Sequence, residues 1–152
     1  MAKAENLQGI LLIEDNPDDV EAVQRSFKKA GIDWPIHWCS TGQDGLDYLK
    51  HCGQYALIEK VLPPALILLD LNMAGIDGRA ILEMLKQDKV LRRIPVLILT
   101  TSNDARDINR CYELGASTYI QKPVDFNGLV QVAKQIRSYW LTMALLPKVE
   151  EP

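Results

Sequence analysis

Residues 65 to 70 read Ala-Leu-Ile-Leu-Leu-Asp, a short apolar run that ends in a carboxylate. Apolar and polar residues do not alternate in it, so the run is typical of a strand that is buried on both faces. Strands of this kind belong to parallel sheets that carry helices on both sides. The stretch therefore predicts the central strand of an α/β domain and places Asp70 at the carboxyl end of that strand.

Strand-like and helix-like segments alternate along the rest of the chain. Five such alternations predict right-handed βαβ crossovers and a doubly wound sheet. The last helix is expected to be extended, with Trp140 and Met143 on its apolar stripe, and part of the long connection at residues 55–61 is expected to be helical. The other predicted strands cover residues 10–13, 36–39, 96–99 and 118–120, and the predicted helices cover residues 18–30, 43–50, 78–86, 104–114 and a segment from Phe126 onward.

Length, charge and cysteine content limit the class of protein. A chain of 152 residues fits one domain, with a tail at residues 1–7 and a frayed end at residues 147–152. Its net charge of −3 argues against nucleic acid as a partner, and no apolar run is long enough to span a membrane. Three scattered cysteines form no CxxC pair and so indicate no disulfide framework. We therefore expect a soluble cytoplasmic domain.

Polar side chains lie where the predicted strands end, which is the edge at which open α/β sheets bind ligands. Glu14 and Asp15 follow the first strand, Asp70 the third, Thr100 the fourth and Lys122 the fifth. Carboxylates that lie close together need a cation, and oxygen ligands without histidine or thiolate favour Mg²⁺. Three carboxylates, one lysine and Mg²⁺ sum to zero formal charge, and such a cluster tolerates incoming phosphate oxygens.

Asp70 is the preferred nucleophile of this group, because it closes the most apolar and most central strand. A carboxylate can accept a phosphoryl group as an acyl phosphate. Lys122 is expected to pair with Asp70 at rest and to hold a phosphate oxygen afterwards, while Thr100 donates its hydroxyl to another oxygen. Each residue alone has an ordinary explanation as a turn or helix cap. The joint occurrence at four strand ends favours a site.

Four spaced motifs resemble the receiver domain of two-component response regulators. The resemblance covers nearly the whole chain. It implies a flavodoxin-like fold with five parallel strands in the order 2-1-3-4-5 and five flanking helices. It also implies phosphoryl transfer from the phosphohistidine of a sensor histidine kinase to Asp70, dependent on Mg²⁺, for which Mn²⁺ would substitute. The motifs are Leu11–Pro17, Leu68–Gly78, Pro95–Thr100 and Gly115–Pro123.

The same resemblance implies a role for each matching residue. Thr100 and Tyr119 would be the switch pair, with Thr100 moving toward the phosphate and Tyr119 then turning inward. Lys122 would clamp the phosphate. Two positions depart from the family pattern: Ala74 stands where a proline is common, and Thr101 stands where a small residue is frequent. The implied metal ligands are Glu14, Asp15, Asp70 and the backbone carbonyl of Asn72.

A narrower resemblance is to single-domain regulators that partner bacterial phytochromes. It is carried by the long segment before the third strand, by Cys111–Ala116 and Lys122–Phe126, and by the ending Tyr139-Trp140-Leu141. The regulators it resembles are often dimeric, and exposed apolar patches mark interfaces. We therefore expect a phytochrome as the kinase, a homodimer through Tyr139, Trp140 and Leu141, and output by protein–protein contacts.

Three other functions remain open at this point. An aspartate-nucleophile phosphatase of the haloacid dehalogenase type would need an acid two residues after Asp70, where the chain has Asn72. A flavodoxin-like binding module would need a phosphate-cradling loop after the first strand, but the acidic run Glu14–Asp19 would repel phosphate. The third is a degenerate receiver that serves only as a scaffold.

Overall fold

The computed structural model describes residues 9–58 and 63–148 and shows one parallel sheet between two layers of helices. The strand order is β2-β1-β3-β4-β5, which confirms the predicted topology. In the described residues, no helix is long and apolar enough to cross a membrane. The strands are β1 Ile10–Ile13, β2 Ile36–Cys39, β3 Leu66–Leu69, β4 Val96–Thr100 and β5 Thr118–Gln121, and the α-helices are α1 Pro17–Lys29, α2 Gly42–Lys50, α3 Gly78–Gln87, α4 Ala105–Leu114 and α5 Phe126–Ser138.

The three inner strands are buried along their whole length, as their unbroken apolar runs predict. Successive side chains point to opposite faces of the sheet, so each strand supplies two separate cores. Leu11 and Ile13 pack with the helices α2, α3 and α4, whereas Ile10 and Leu12 pack with α1 and α5. Helices on both faces make the sheet doubly wound and leave its carboxyl edge open for a site.

All five α-helices begin at a polar cap. In each case the capping side chain accepts a hydrogen bond from a backbone N–H of the first turn, which would otherwise lack a partner. These caps fix the loops that surround the carboxyl edge of the sheet. The caps are Asn16, Thr41, Asp77, Asp104 and Asp125.

The end of the chain differs from the predicted extended α-helix. After Ser138 the backbone forms one π-helical turn over Tyr139–Met143, in which the N–H of Ala144 donates to the carbonyl of Tyr139 at 2.7 Å. The wider turn breaks the spacing of the apolar stripe. Trp140 still packs partly against the core, but Met143 is 72% exposed, so its predicted place on the buried stripe is wrong.

The long connection before β3 also differs from its prediction. Where residues 55–61 were expected to be helical, the structure has a short 3₁₀ turn over Gly53–Tyr55 and no helix at residues 56–58. The Tyr55 hydroxyl explains this, because it contacts His37 Nε2 at 3.0 Å and Asp44 Oδ2 at 3.3 Å and so fixes the turn against β2 and α2. Residues 59–61, the tail at 1–7 and residues 149–152 lie outside the described residues.

Gly78 is the point where α3 approaches the end of β3 most closely. A Cβ atom at this position would overlap the carbonyl oxygen of Asp70 and lie 2.7 Å from the Cα of Leu71, and backbone atoms cannot move aside as a side chain does. We expect Gly78→Ala to lower the free energy of unfolding by about 3 kcal/mol. Urea denaturation measures the change.

Gly75→Ala is the matched control for this substitution. Gly75 has a φ of +81° but nothing within 4 Å of its added Cβ, so only backbone strain of about 1 kcal/mol is expected. Equal losses of stability in the two variants would contradict the close approach at Gly78.

Candidate functional site

Three carboxylates meet at the carboxyl ends of β1 and β3. Glu14, Asp15 and Asp70 each place a carboxylate oxygen within 4.8 Å of the others. The strands explain this meeting, because Ile13 of β1 lies opposite Leu69 of β3 and the next residues leave the sheet side by side. Glu14 is 2% exposed and Asp70 8%. An all-oxygen donor set of this charge fits a hard divalent cation.

Backbone contacts orient the carboxylates. The N–H of Ala74 donates to Asp15 Oδ2 at 3.0 Å, which ties Asp15 to the loop after Asp70. The indole N–H of Trp38 donates to the backbone carbonyl of Glu14 at 2.7 Å, so a tryptophan lies next to the cluster. Asn72 is an exposed residue of the same loop, and its role as a carbonyl ligand stays a prediction.

Lys122 forms the predicted ion pair with Asp70 and two shorter ones that were not predicted. Its Nζ lies 3.8 Å from Asp70 Oδ1, 2.6 Å from Glu14 Oε1 and 3.1 Å from Asp19 Oδ2. Glu14 and Asp19 are therefore its closest partners. The physical reason is that Asp19, in the first turn of α1, supplies a second short partner on the side of Glu14.

Asp19 is a site residue that the sequence reasoning missed. Its place in the acidic run Glu14–Asp19 is the signal in the sequence, although that run does not say which acid reaches Lys122. With Asp19 the cluster contains four carboxylates and one lysine, a formal charge of −3, so a divalent cation leaves −1 instead of the zero derived from the sequence.

Burial and a hydrogen bond to Asp70 raise the pKa of Glu14 to about 8, although Lys122 opposes the shift. Burial alone would lower the pKa of Lys122, but the hydrogen bond to Glu14 and the charge of Asp70 outweigh it and raise that pKa. At neutral pH, without a cation, Glu14 therefore carries a proton and Lys122 stays charged.

This proton predicts that Mg²⁺ affinity rises with pH. Below about pH 8 the cation must displace the proton of Glu14, whereas above it there is none to displace. We expect the affinity to fall by up to about tenfold per pH unit below that point. Titration of tryptophan fluorescence measures it, and Glu14→Gln should flatten the dependence. An affinity that does not change from neutral to alkaline pH would contradict the protonated state.

Thr100 ends β4 with a fully buried hydroxyl that has no hydrogen-bond partner in the described residues. Buried polar groups nearly always have partners, so a buried hydroxyl without one at this edge of the sheet is unusual. Tyr119 lies half-buried against the core, and its hydroxyl donates to the carbonyl of Ser102 at 2.9 Å. Tyr119 thus already lies inward, whereas the sequence-based expectation was that it turns inward on phosphorylation.

The partnerless hydroxyl predicts an unusual stability effect. Thr100→Val keeps the shape and removes a polar group that makes no bond, so the free energy of unfolding should stay the same or rise by up to about 1 kcal/mol. Thr41→Val is the control, because the Thr41 hydroxyl caps α2 by accepting from the N–H of Asp44 at 3.0 Å. That control should lose about 1 kcal/mol in urea denaturation. A larger loss at Thr100 than at Thr41 would show that its hydroxyl is bonded.

Comparison with known proteins connects this geometry to a family. A family model described as the response regulator receiver domain matches residues 10–134. The response regulator Rcp1 of Synechocystis sp. is 38% identical over 138 residues, which span 91% of this chain and 92% of that protein.

Two solved structures show the same likeness in three dimensions. The phosphorylated cyanobacterial phytochrome response regulator RcpA superposes with a TM-score of 0.84 at 36% identity, over 93% of this chain and 99% of that one. The Mn²⁺-bound form of Rcp1 gives a TM-score of 0.82 at 36% identity, over 92% of this chain and 99% of that one.

Proposed function

The chain belongs to the response regulator receiver domain family and is related to the phytochrome response regulators, and from this premise we propose that it accepts a phosphoryl group on Asp70 from the phosphohistidine of a sensor histidine kinase. One observation supports this most strongly. Glu14, Asp15 and Asp70 converge at one edge of the sheet, with the Lys122 ammonium within 4 Å of two of them.

The acidic cluster is suited to hold a divalent cation. Glu14, Asp15, Asp70 and the carbonyl of Asn72 would hold Mg²⁺, and Mn²⁺, named in the Rcp1 structure, would substitute. When bound, the cation offsets the negative charge that otherwise repels a phosphoryl group. Asp15 is held in place for this role by the N–H of Ala74.

The side chains divide the transfer among them. A carboxylate oxygen of Asp70 attacks phosphorus as the bond from phosphorus to the histidine nitrogen breaks, and the nitrogen leaves with the bonding pair. Lys122 moves from Glu14 toward a phosphoryl oxygen. This movement is short, because its Nζ already lies 3.8 Å from Asp70 Oδ1. Thr100 donates its free hydroxyl to a second oxygen.

The partner proposals follow from the relatives and from the end of the chain. The phytochrome link of RcpA supports a phytochrome as the kinase.

The end of the chain supports a second partner, another copy of the chain. Tyr139 is exposed, while Trp140 and Leu141 pack only partly against the core, so we propose a homodimer through these residues. We also propose output by protein contacts in the cytoplasm. Sedimentation equilibrium of Tyr139→Glu tests the dimer, which that charge should dissociate.

Labelling with acetyl phosphate tests the function directly. With Mg²⁺ the chain should gain one phosphoryl group by intact mass, and the bond should be cleaved by hydroxylamine as acyl phosphates are. Chelation of the cation should prevent the gain. A chain that gains no phosphoryl group would contradict the proposal, and steady turnover of a phosphate ester would instead favour a phosphatase.

A further inference from the structure

Four residues outside the acidic cluster connect the loop after Asp70 with the loop after Thr100. Arg79, in the first turn of α3, donates from Nε and Nη2 to Asp107 Oδ1 at 3.0 and 2.6 Å. The other oxygen of Asp107 accepts from the hydroxyl of Ser102 at 2.7 Å. The carbonyl of Ser102 in turn accepts from the Tyr119 hydroxyl. This series is called the Arg79 network below.

Arg79 is held at both ends of its guanidinium. Its Nη1 donates to both carboxylate oxygens of Asp77, at 3.1 and 3.0 Å, and Asp77 is the cap of α3. Asp107 lies in the first turn of α4. The side chains of Arg79 and Asp107 are each only about a quarter exposed, so this pair is screened less than the more exposed pairs Arg106–Asp104 and Arg110–Glu113. The guanidinium therefore bridges the start of α3 and the start of α4.

The Arg79 network contacts the chain next to Thr100 and the side chain of Tyr119, the two residues proposed to respond to the phosphoryl group. Thr100 is the last residue of β4 and Ser102 lies two residues after it, so the bonds to the Ser102 hydroxyl and carbonyl fix the loop that begins directly after Thr100. The same carbonyl holds Tyr119 inward. A loop released from Asp107 would remove the restraint on the chain directly after Thr100 and would free the acceptor of Tyr119.

We infer that Arg79 is a positioning residue that, through Asp107 and Ser102, holds Thr100 and Tyr119 ready for a phosphoryl group before one arrives. The inference rests on the proposed function of Asp70. It assigns the role to a residue that touches neither the metal ligands nor Lys122 in the described contacts. Loss of Arg79 should therefore weaken phosphoryl recognition and leave cation binding unchanged.

Beryllofluoride, which mimics the phosphoryl group on a carboxylate, separates these two effects. With saturating Mg²⁺, we expect Arg79→Gln and Asp107→Asn each to weaken its binding by about fivefold. The double variant should be no weaker than either single variant, because both substitutions break the same link. The Mg²⁺ dissociation constant should be the same in all of them. Thermal unfolding confirms that each variant is folded.

Arg106→Gln is the matched control. Arg106 pairs with Asp104, the cap of α4, as Arg79 pairs with the cap of α3, but it is 92% exposed and its described bonds stay within its own helix start. The beryllofluoride affinity of Arg106→Gln should match that of the unsubstituted protein.

A second measurement follows the loop directly. Amide exchange should be faster in residues 102–108 of Arg79→Gln than in the same residues of the unsubstituted protein.

The outcomes distinguish the inference from the function on which it rests. If the unsubstituted protein binds no beryllofluoride, the proposed function fails and the inference fails with it. If the protein binds it and Arg79→Gln binds equally well, only the inference is overturned. Additive effects in the double variant, or a parallel loss of Mg²⁺ affinity, would also overturn it, because they would indicate general damage to the fold.

Discussion

We expect Asp70→Asn to reduce phosphoryl incorporation to background while the protein stays folded. An amide is not a nucleophile toward phosphorus at neutral pH, so the substitution removes the reacting group and almost nothing else. It also removes one negative charge from a crowded cluster, which should keep or raise the free energy of unfolding. The measurements are intact mass after treatment with acetyl phosphate and Mg²⁺, and urea denaturation of the same samples.

Asp125→Asn is the control for this result. Asp125 lies three residues after Lys122, is exposed, and caps α5, a task that asparagine performs equally well. It should be labelled to nearly the same extent as the unsubstituted chain. Full labelling of Asp70→Asn would place the acceptor at another residue and remove the central element of the proposed function.

The position of Asp70 could be predicted because it depends on short-range signals. An unbroken apolar run identifies a buried strand, and the first polar residue after it must leave the sheet at the carboxyl edge. The same argument applies to Glu14, the first polar residue after β1. Parallel strands bring these ends together whatever the details of packing, so the cluster of acids follows from the pattern alone.

The two shortest contacts of Lys122 could not be predicted in this way. Its shortest contact, with Glu14, joins residues 108 positions apart, and several carboxylates lie within reach of one flexible side chain. The choice among them depends on how α1 sets Asp19 beside the ammonium, a distance that no sequence spacing encodes. The link between Arg79 and Asp107 is of the same kind, since it depends on how α3 and α4 pack.

The end of α5 shows a different limit. Its apolar spacing extends past Ser138, and a regular helix would satisfy that pattern. The π-helical turn over Tyr139–Met143 is stabilised locally, by the hydroxyl of Thr142 donating to the carbonyl of Arg137 at 2.8 Å as well as by its own backbone bond. A threonine hydroxyl that bonds to the backbone favours a departure from regular helix geometry. The spacing of apolar residues in the sequence gives no sign of such a bond.

Asp15→Asn should weaken Mg²⁺ binding by at least about 100-fold, or roughly 2.7 kcal/mol, because it replaces a charged ligand by a neutral one in a cluster with few alternatives. Without cation the same variant should be slightly more stable than the unsubstituted protein, since repulsion within the cluster falls.

Asp18→Asn is the control for Asp15→Asn, because Asp18 is an exposed acid in the first turn of α1 that lies outside the cluster. It removes the same charge from a nearby position and should change Mg²⁺ affinity by less than about twofold. Fluorescence titration measures both variants, with Trp38 as the neighbouring reporter. Equal losses in the two variants would mean that the cation responds only to overall charge, whereas a loss confined to Asp15→Asn identifies a ligand.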